Sequence, residues 1–122
     1  KMKYFQIFVI FLFFSNSAYS RDLATWGFTG TKCKNTINTV KQFGKLGRQT
    51  LGFSIQGFLT GYNTNVMMMD LQKKSRIKAK IINKYSITEV TSILIGKCTA
   101  NPNKSTYVAL VEIWRTFPDA KY

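Results

Sequence analysis

Apolar residues recur along most of this chain at helical rather than alternating spacing. Between Gln49 and Tyr62, the residues Leu51, Ile55, Phe58, Leu59 and Tyr62 fall four, three, one and three positions apart, which is one face of a helix. Gly52, Gly57 and Gly61 lie in the same stretch. Each costs about 1 kcal/mol relative to Ala in a helix interior, so their presence predicts close approach of a second helix. Asn63 and Asn65 read as stop residues. Upstream, Asn35 to Phe43 predicts two helical turns with Ile37, Val40 and Phe43 inward, interrupted by Gly44 and Gly47. The lead-in from Arg21 to Lys34 reads as loop, with Trp26 and Phe28 as packing residues.

The second half of the chain carries the firmer signals. Ser86-Ile87-Thr88-Glu89 is a capping box, in which the Ser hydroxyl and the Glu carboxylate satisfy each other's backbone N–H groups. It predicts a helix from Ile87 to Thr99 whose inner face carries Ile87, Val90, Leu94 and Cys98, with Ile93 beside them. Asn101-Pro102 ends it, because proline disfavours helix in the residue before it. A last element, Tyr107 to Phe117, is capped by Ser105 or Asn103 and ended by Pro118. Leu110, Ile113, Trp114 and Phe117 form its stripe, with Tyr107 and Val111 widening it. Tyr107 to Val111 also fits a buried strand; helix is the preferred reading. The Val66-Met67-Met68-Met69 patch reads as core filling, with a promiscuous binding surface as the alternative. The pattern predicts an all-α fold, a small bundle of about four helices.

The first twenty residues follow a different plan. Lys1 and Lys3 precede an apolar run of eleven residues, Tyr4 to Phe14, and then a small polar segment with Ala18 and Ser20 where a signal peptidase inspects the chain. This is the layout of a secretory signal, with the cut expected after Ser20. The run is shorter than the roughly 20 apolar residues that span a bilayer. Residues 1–20 are therefore read as a signal peptide and 21–122 as a single helical domain, periplasmic or secreted, with no membrane span in the mature form.

Charge narrows the class of partner. The chain has 18 Lys and Arg against five acids, a formal charge of +13; residues 21–122 keep 16 of the cations and all five acids, a charge of +11. Such a balance attracts polyanions, whether acidic proteins, anionic lipid or nucleic acid. Export disfavours intracellular nucleic acid. The cations concentrate at Lys73, Lys74, Arg76, Lys78, Lys80 and Lys84, six within twelve residues and with no acid among them. Drawn as a helix, this run places Arg76 and Lys80 on one face and Ile77 and Ile81 on another. It is either a solvated surface or a docking patch for an anionic partner.

Both cysteines, Cys33 and Cys98, lie beyond the signal. In an oxidising compartment an even pair of thiols reads as a disulfide. A catalytic cysteine and an intermolecular bond are the alternatives, the first weakened by the absence of any histidine to serve as its base. The missing histidine also excludes Ser-His-Asp systems and the usual zinc sites. The five acids, Asp22, Asp70, Glu89, Glu112 and Asp119, are scattered. Glu89 and Glu112 could face each other across two helices as a carboxylate pair, but each has a local explanation, Glu89 in its cap and Glu112 on an exposed helix face. No phosphate-cradling glycine loop and no calcium loop occur. Asn103-Lys104-Ser105 is a glycosylation sequon, which matters only in a eukaryotic secretory pathway. The expectation is a protein without catalytic activity and without a cofactor.

Trp26-Gly27 ahead of Cys33, then Gly57-Phe58-Leu59-Thr60-Gly61-Tyr62-Asn63, then a helix ending at Cys98 before Asn101-Pro102, together form a recognisable order. It resembles the small, two-cysteine periplasmic proteins of Gram-negative bacteria, the HdeA-like acid-stress chaperones and the Tai-type immunity proteins. The resemblance implies an all-α periplasmic domain with one disulfide between the helices bearing Cys33 and Cys98. It also implies action by binding another protein, as an immunity protein, inhibitor or chaperone. This chain departs from the pattern in having Gly96-Lys97 before the second cysteine, and in having few carboxylates that could titrate as pH falls. The leading functional expectation is therefore an immunity or inhibitor protein for an acidic partner, docked by the basic run. The alternative is a cationic secreted factor that binds anionic lipid, lipopolysaccharide or another polyanion.

Overall fold

A computed structural model describes residues 27–122 of the chain. The expected signal at 1–20 and the packing role expected of Trp26 lie outside the described residues. After a 3-10 turn at Gly27–Gly30, three α-helices follow: α1, Cys33–Leu71; α2, Ile87–Ala100; and α3, Thr106–Arg115. The domain is helical, and Cys33 and Cys98 are joined by a disulfide with their Cα atoms 4.7 Å apart.

The interruption expected at Gly44 is present as a kink inside α1, and the helix after it runs on past residue 63. α1 runs for 39 residues and is broken only at Gly44, whose φ of 54° and ψ of −125° take one residue out of the helix. A side chain is strained in that region. Three residues on, a Cβ at Gly47 would lie 3.0 Å from the Val40 Cα and 3.2 Å from the Thr39 carbonyl oxygen. These two glycines let the short arm, 33–43, turn against the long arm, 45–71. The stop expected at Asn63 and Asn65 does not occur. The Asn63 side chain is drawn to partners elsewhere in the fold, and the methionines after it sustain the helix, methionine being a good helix former.

α2 lies antiparallel to α1: Cys98 meets Cys33, Arg48 reaches Ser92, and Gly52 faces Thr91 and Ile87. The capping box is present, Ser86 Oγ accepting from the Glu89 N–H at 3.2 Å and Glu89 Oε2 accepting from the Ser86 N–H at 2.7 Å. Glu89 is held below its ordinary value of 4.5, first by the Ser86 backbone N–H and then by the Ser86 side chain. α3 is helical throughout, which decides Tyr107 to Val111 against the strand reading. Its N-cap is Ser105, without a side-chain cap bond. A backbone bridge between Lys32 and Ser105 ties the start of α1 to the start of α3, and the Lys104 carbonyl accepts the Cys33 N–H at 2.8 Å.

The core is one cluster. Leu51, Ile55 and Leu59 of α1 meet Val90 and Leu94 of α2 and Leu110, Ile113, Trp114 and Phe117 from α3 and the turn after it. Phe28, Phe58 and Tyr62 pack against it, half-buried. Thr36 and Thr106 are buried and hydrogen-bonded to each other at 2.9 Å, so neither hydroxyl is left unpaired. Several expected core positions are not core. Phe43, Ile87, Ile93 and Tyr107 are exposed. In the methionine patch Val66 joins the core and Met67 is half-buried, but Met68 and Met69 face solvent, so core filling holds only for its first half. Of the three helix glycines, only Gly52 has a neighbour; nothing lies within 4 Å of a Cβ at Gly57 or Gly61. Among the described residues no helix is long and apolar enough to cross a membrane.

Candidate functional site

The basic run is not a helix. It forms an irregular connection from the end of α1 to a short 3-10 turn, Ile82–Lys84. Lys74/Lys78, Arg76/Lys80 and Lys80/Lys84 would be like-charged pairs four residues apart in a helix, each unfavourable. The chain instead leaves α1 through Lys73, at a φ of 55°. The Lys73 and Lys74 N–H groups donate to the Asp70 and Met69 carbonyls at 2.8 and 2.9 Å, closing the helix end. Ser75 Oγ then accepts the Ile77 N–H at 3.0 Å.

The far end of the loop is pinned more firmly. Asn63 Oδ1 accepts the Lys80 backbone N–H at 2.7 Å, and Asn63 Nδ2 donates to the Lys80 carbonyl at 3.0 Å. The same Oδ1 accepts the indole N–H of Trp114 at 3.0 Å. On the other side, the Ile81 N–H donates to the Pro118 carbonyl and the Ala120 N–H to the Ala79 carbonyl, each at 2.8 Å. Residues 79–81 thus run as a short extended piece between an amide side chain and the C-terminal tail, with Ala79 buried beneath.

This clamp sorts the six predicted cations. The Lys80 ammonium lies 2.5 Å from Asp119 and 5.4 Å from the centre of the Trp114 ring, and its side chain is only 15% exposed. It is a structural residue rather than part of a free patch. Lys73, Lys74, Arg76, Lys78 and Lys84 are exposed, and they belong to none of the ion pairs among the described residues. Each described acid has a partner of its own. Asp70 accepts the Tyr122 hydroxyl; Glu89 closes its capping box; Glu112 accepts from Lys104 at 2.8 and 3.0 Å and from Lys97 at 3.2 Å. Glu112 meets Lys97 two turns along α2 from Glu89, so the two carboxylates do not form a pair. Lys104 first and Lys97 second hold Glu112 below its ordinary value of 4.5. The hydrogen bond to Asp70 is the main reason the Tyr122 phenol is raised above 10.0.

Apolar side chains accompany the free cations. Ile77, between Arg76 and Lys78, is 56% exposed, and Met68, Met69 and Leu71 at the end of α1 are all exposed. The arrangement is an exposed loop carrying four cations, anchored at both ends, beside an uncovered apolar patch. Its chemistry is that of a docking surface. Among the described residues no group of three or more His, Cys, Asp or Glu is placed to hold a metal ion. Asn63, which fixes the loop, carries no sequence signal as a clamp: its partners are 17 and 51 residues away. Comparison with protein-family models, with curated proteins and with solved structures gave no match.

Proposed function

We propose that this chain is an exported binding protein of the immunity or inhibitor kind, which docks on an acidic surface of another protein through the loop from Lys73 to Lys84. One observation carries the reading: Lys73, Lys74, Arg76 and Lys78 are exposed and outside every ion pair among the described residues, on a loop whose backbone is tied down at both ends. Anchoring lowers the ordering entropy that a flexible basic tail would lose on binding. Exposed Met68, Met69 and Ile77 supply the apolar contact that interface centres use alongside Arg. The cations steer association and set register, and the methionines adapt to the partner. Export to the periplasm or beyond and the likeness to two-cysteine immunity proteins belong to the same proposal.

The test is capture from an extracytoplasmic fraction by the chain and two variants. One reverses Lys73, Lys74, Arg76 and Lys78 to Glu; the other reverses the exposed Lys32, Lys34, Lys41 and Lys121 and so matches its net charge. The proposal expects a defined partner to be lost with the loop variant and kept with the control. Equal loss in both variants means that net charge alone acts, and overturns it. The alternative of an anionic lipid surface is favoured by Ile77, an exposed apolar side chain between two cations. It predicts loop-dependent binding to phosphatidylglycerol vesicles with no loop-dependent protein captured.

A further inference from the structure

A second surface adjoins the end of the connection that carries the basic loop. Between the long arm of α1 and the first turn of α2 is an open groove of about 390 Å³. Lys45 and Arg48 stand at one end of it, Gly52 and Thr91 form its floor, and Phe53 and Ile87 form its walls. A second groove of about 320 Å³ continues along α1 past Gln56 and Thr60, against Ile82 and Tyr85, and shares the Ile87 side chain with the first. Together they follow α1 from Lys45 to Thr60, a rise of about 22 Å. Phe53 is 75% exposed, and Ile87 and Tyr85 are more than a third exposed, so the trough is apolar and open along its length.

Charge says what covers it. No carboxylate lines either groove. Asp70, Glu89, Glu112 and Asp119 are all engaged elsewhere, by Tyr122, Ser86, Lys104 and Lys80. Arg48 is held at the edge by its hydrogen bond to Ser92 Oγ, at 2.9 Å, rather than by an acid. An apolar trough about four helical turns long, open to solvent and cationic at one end, is the complement of one ligand shape. That shape is an amphipathic helix with an apolar stripe and acidic flanks.

We propose that the trough from Lys45 to Thr60 receives an acidic amphipathic helix of the partner protein. This rests on the reading that the chain binds an acidic protein, and it adds a second apolar contact to the one made by Met68, Met69 and Ile77 beside the basic loop. Ile82, Asn83 and Tyr85, which wall the trough, lie at the end of the loop, so one partner can cover both.

The probe is a fluorescein-labelled 18-residue peptide with Leu at positions one, four, five, eight, eleven, twelve and fifteen and Glu on its flanks, followed by anisotropy at near-physiological salt. A scrambled peptide of the same composition is the control. The expected result is binding at least tenfold tighter than the scramble. Phe53→Ala, a change at an exposed position that circular dichroism should show to be folded, weakens it at least fivefold, and K45E/R48E weakens it more than K32E/K34E does. Equal binding of the scramble, or binding unmoved by both Phe53→Ala and K45E/R48E, overturns the proposal. If only neutralisation of Lys73, Lys74, Arg76 and Lys78 weakens the peptide, the helix sits on the loop: the trough proposal fails and the loop reading stands. If peptide binding follows Phe53 while loop reversal leaves protein capture intact, the loop reading fails and the trough stands. Dodecanoate binding that depends on Phe53, with no peptide binding, assigns the groove to a small amphiphile and overturns the proposal.

Discussion

Asn63 acts as a strand partner from within a helix. Its carboxamide pairs with both backbone groups of Lys80, and its oxygen also takes the Trp114 indole N–H. Removing it leaves a buried indole donor and two peptide groups without partners, and each such loss is worth about 1–3 kcal/mol where water cannot compensate. Asn63→Leu should therefore lower stability by roughly 2 kcal/mol and speed hydrogen exchange at the Lys80 and Ile81 amides before the rest of the core responds. Uniform loss of protection across the domain would deny the clamp a local role. Glu112 makes a second residue-scale prediction. Its folded value is depressed by Lys104 and Lys97, so its contribution is complete above the ordinary value of 4.5 and is lost as pH falls through the lower folded one. Melting temperature should fall on acidification below about pH 5, and Glu112→Gln should flatten that fall. An unchanged acid limb in the variant would remove Glu112 from the account.

At the scale of elements, the chain separates what spacing can tell from what it cannot. The capping box at Ser86, the stripe of α3 and the face formed by Leu51, Ile55 and Leu59 are local periodicities, and all three are legible in sequence. The kink at Gly44 is legible as an interruption of the pattern, whereas the continuation of α1 past Asn63 is not, because Asn63 stops a helix only if nothing further away engages it. Asn63 is engaged across 51 residues, and at Gly44 the break is a bend. The shape of the basic run is not legible from its spacing for a related reason. Its periodicity suits a helix, but the repulsion among its own cations and its pairing with the tail decide against one. The glycines offer a direct check. Gly57→Ala and Gly61→Ala meet open space on a regular helix and should each raise stability by about 0.5–1 kcal/mol. Gly44→Ala should lower it by roughly 1–3 kcal/mol, because its φ of 54° strains any side chain. Thermal melts of the three variants check both signs, and a stabilised Gly44→Ala would mean that the bend is not built on that residue.

For the whole molecule, the Cys33–Cys98 bond is the largest single constraint on the unfolded chain. It joins residues 65 apart, a loop worth roughly 4 kcal/mol in the chain-entropy picture. A domain of this size has only about 5–15 kcal/mol in all. Reduction should lower the melting temperature by more than about 10 °C. A melt unchanged by reductant would show that the apolar core suffices without the staple. The bond also holds the start of α1 against the end of α2, which sets the trough between them and leaves the loop at the opposite end of α1. That disposition of charge was partly visible in the sequence: five of the six predicted cations stand free, and the sixth, Lys80, is taken up by Asp119, 39 residues away, and by the Trp114 ring. The trough was not visible, because its walls come from three segments whose meeting depends on the fold. Most direct for the central claim is an amide chemical-shift map of the folded, oxidised chain titrated with poly-L-glutamate. The account predicts that the largest shifts cluster between Lys73 and Lys84 and disappear when Lys73, Lys74, Arg76 and Lys78 are reversed. Shifts of similar size at Lys32, Lys34, Lys41 and Lys121 would contradict it.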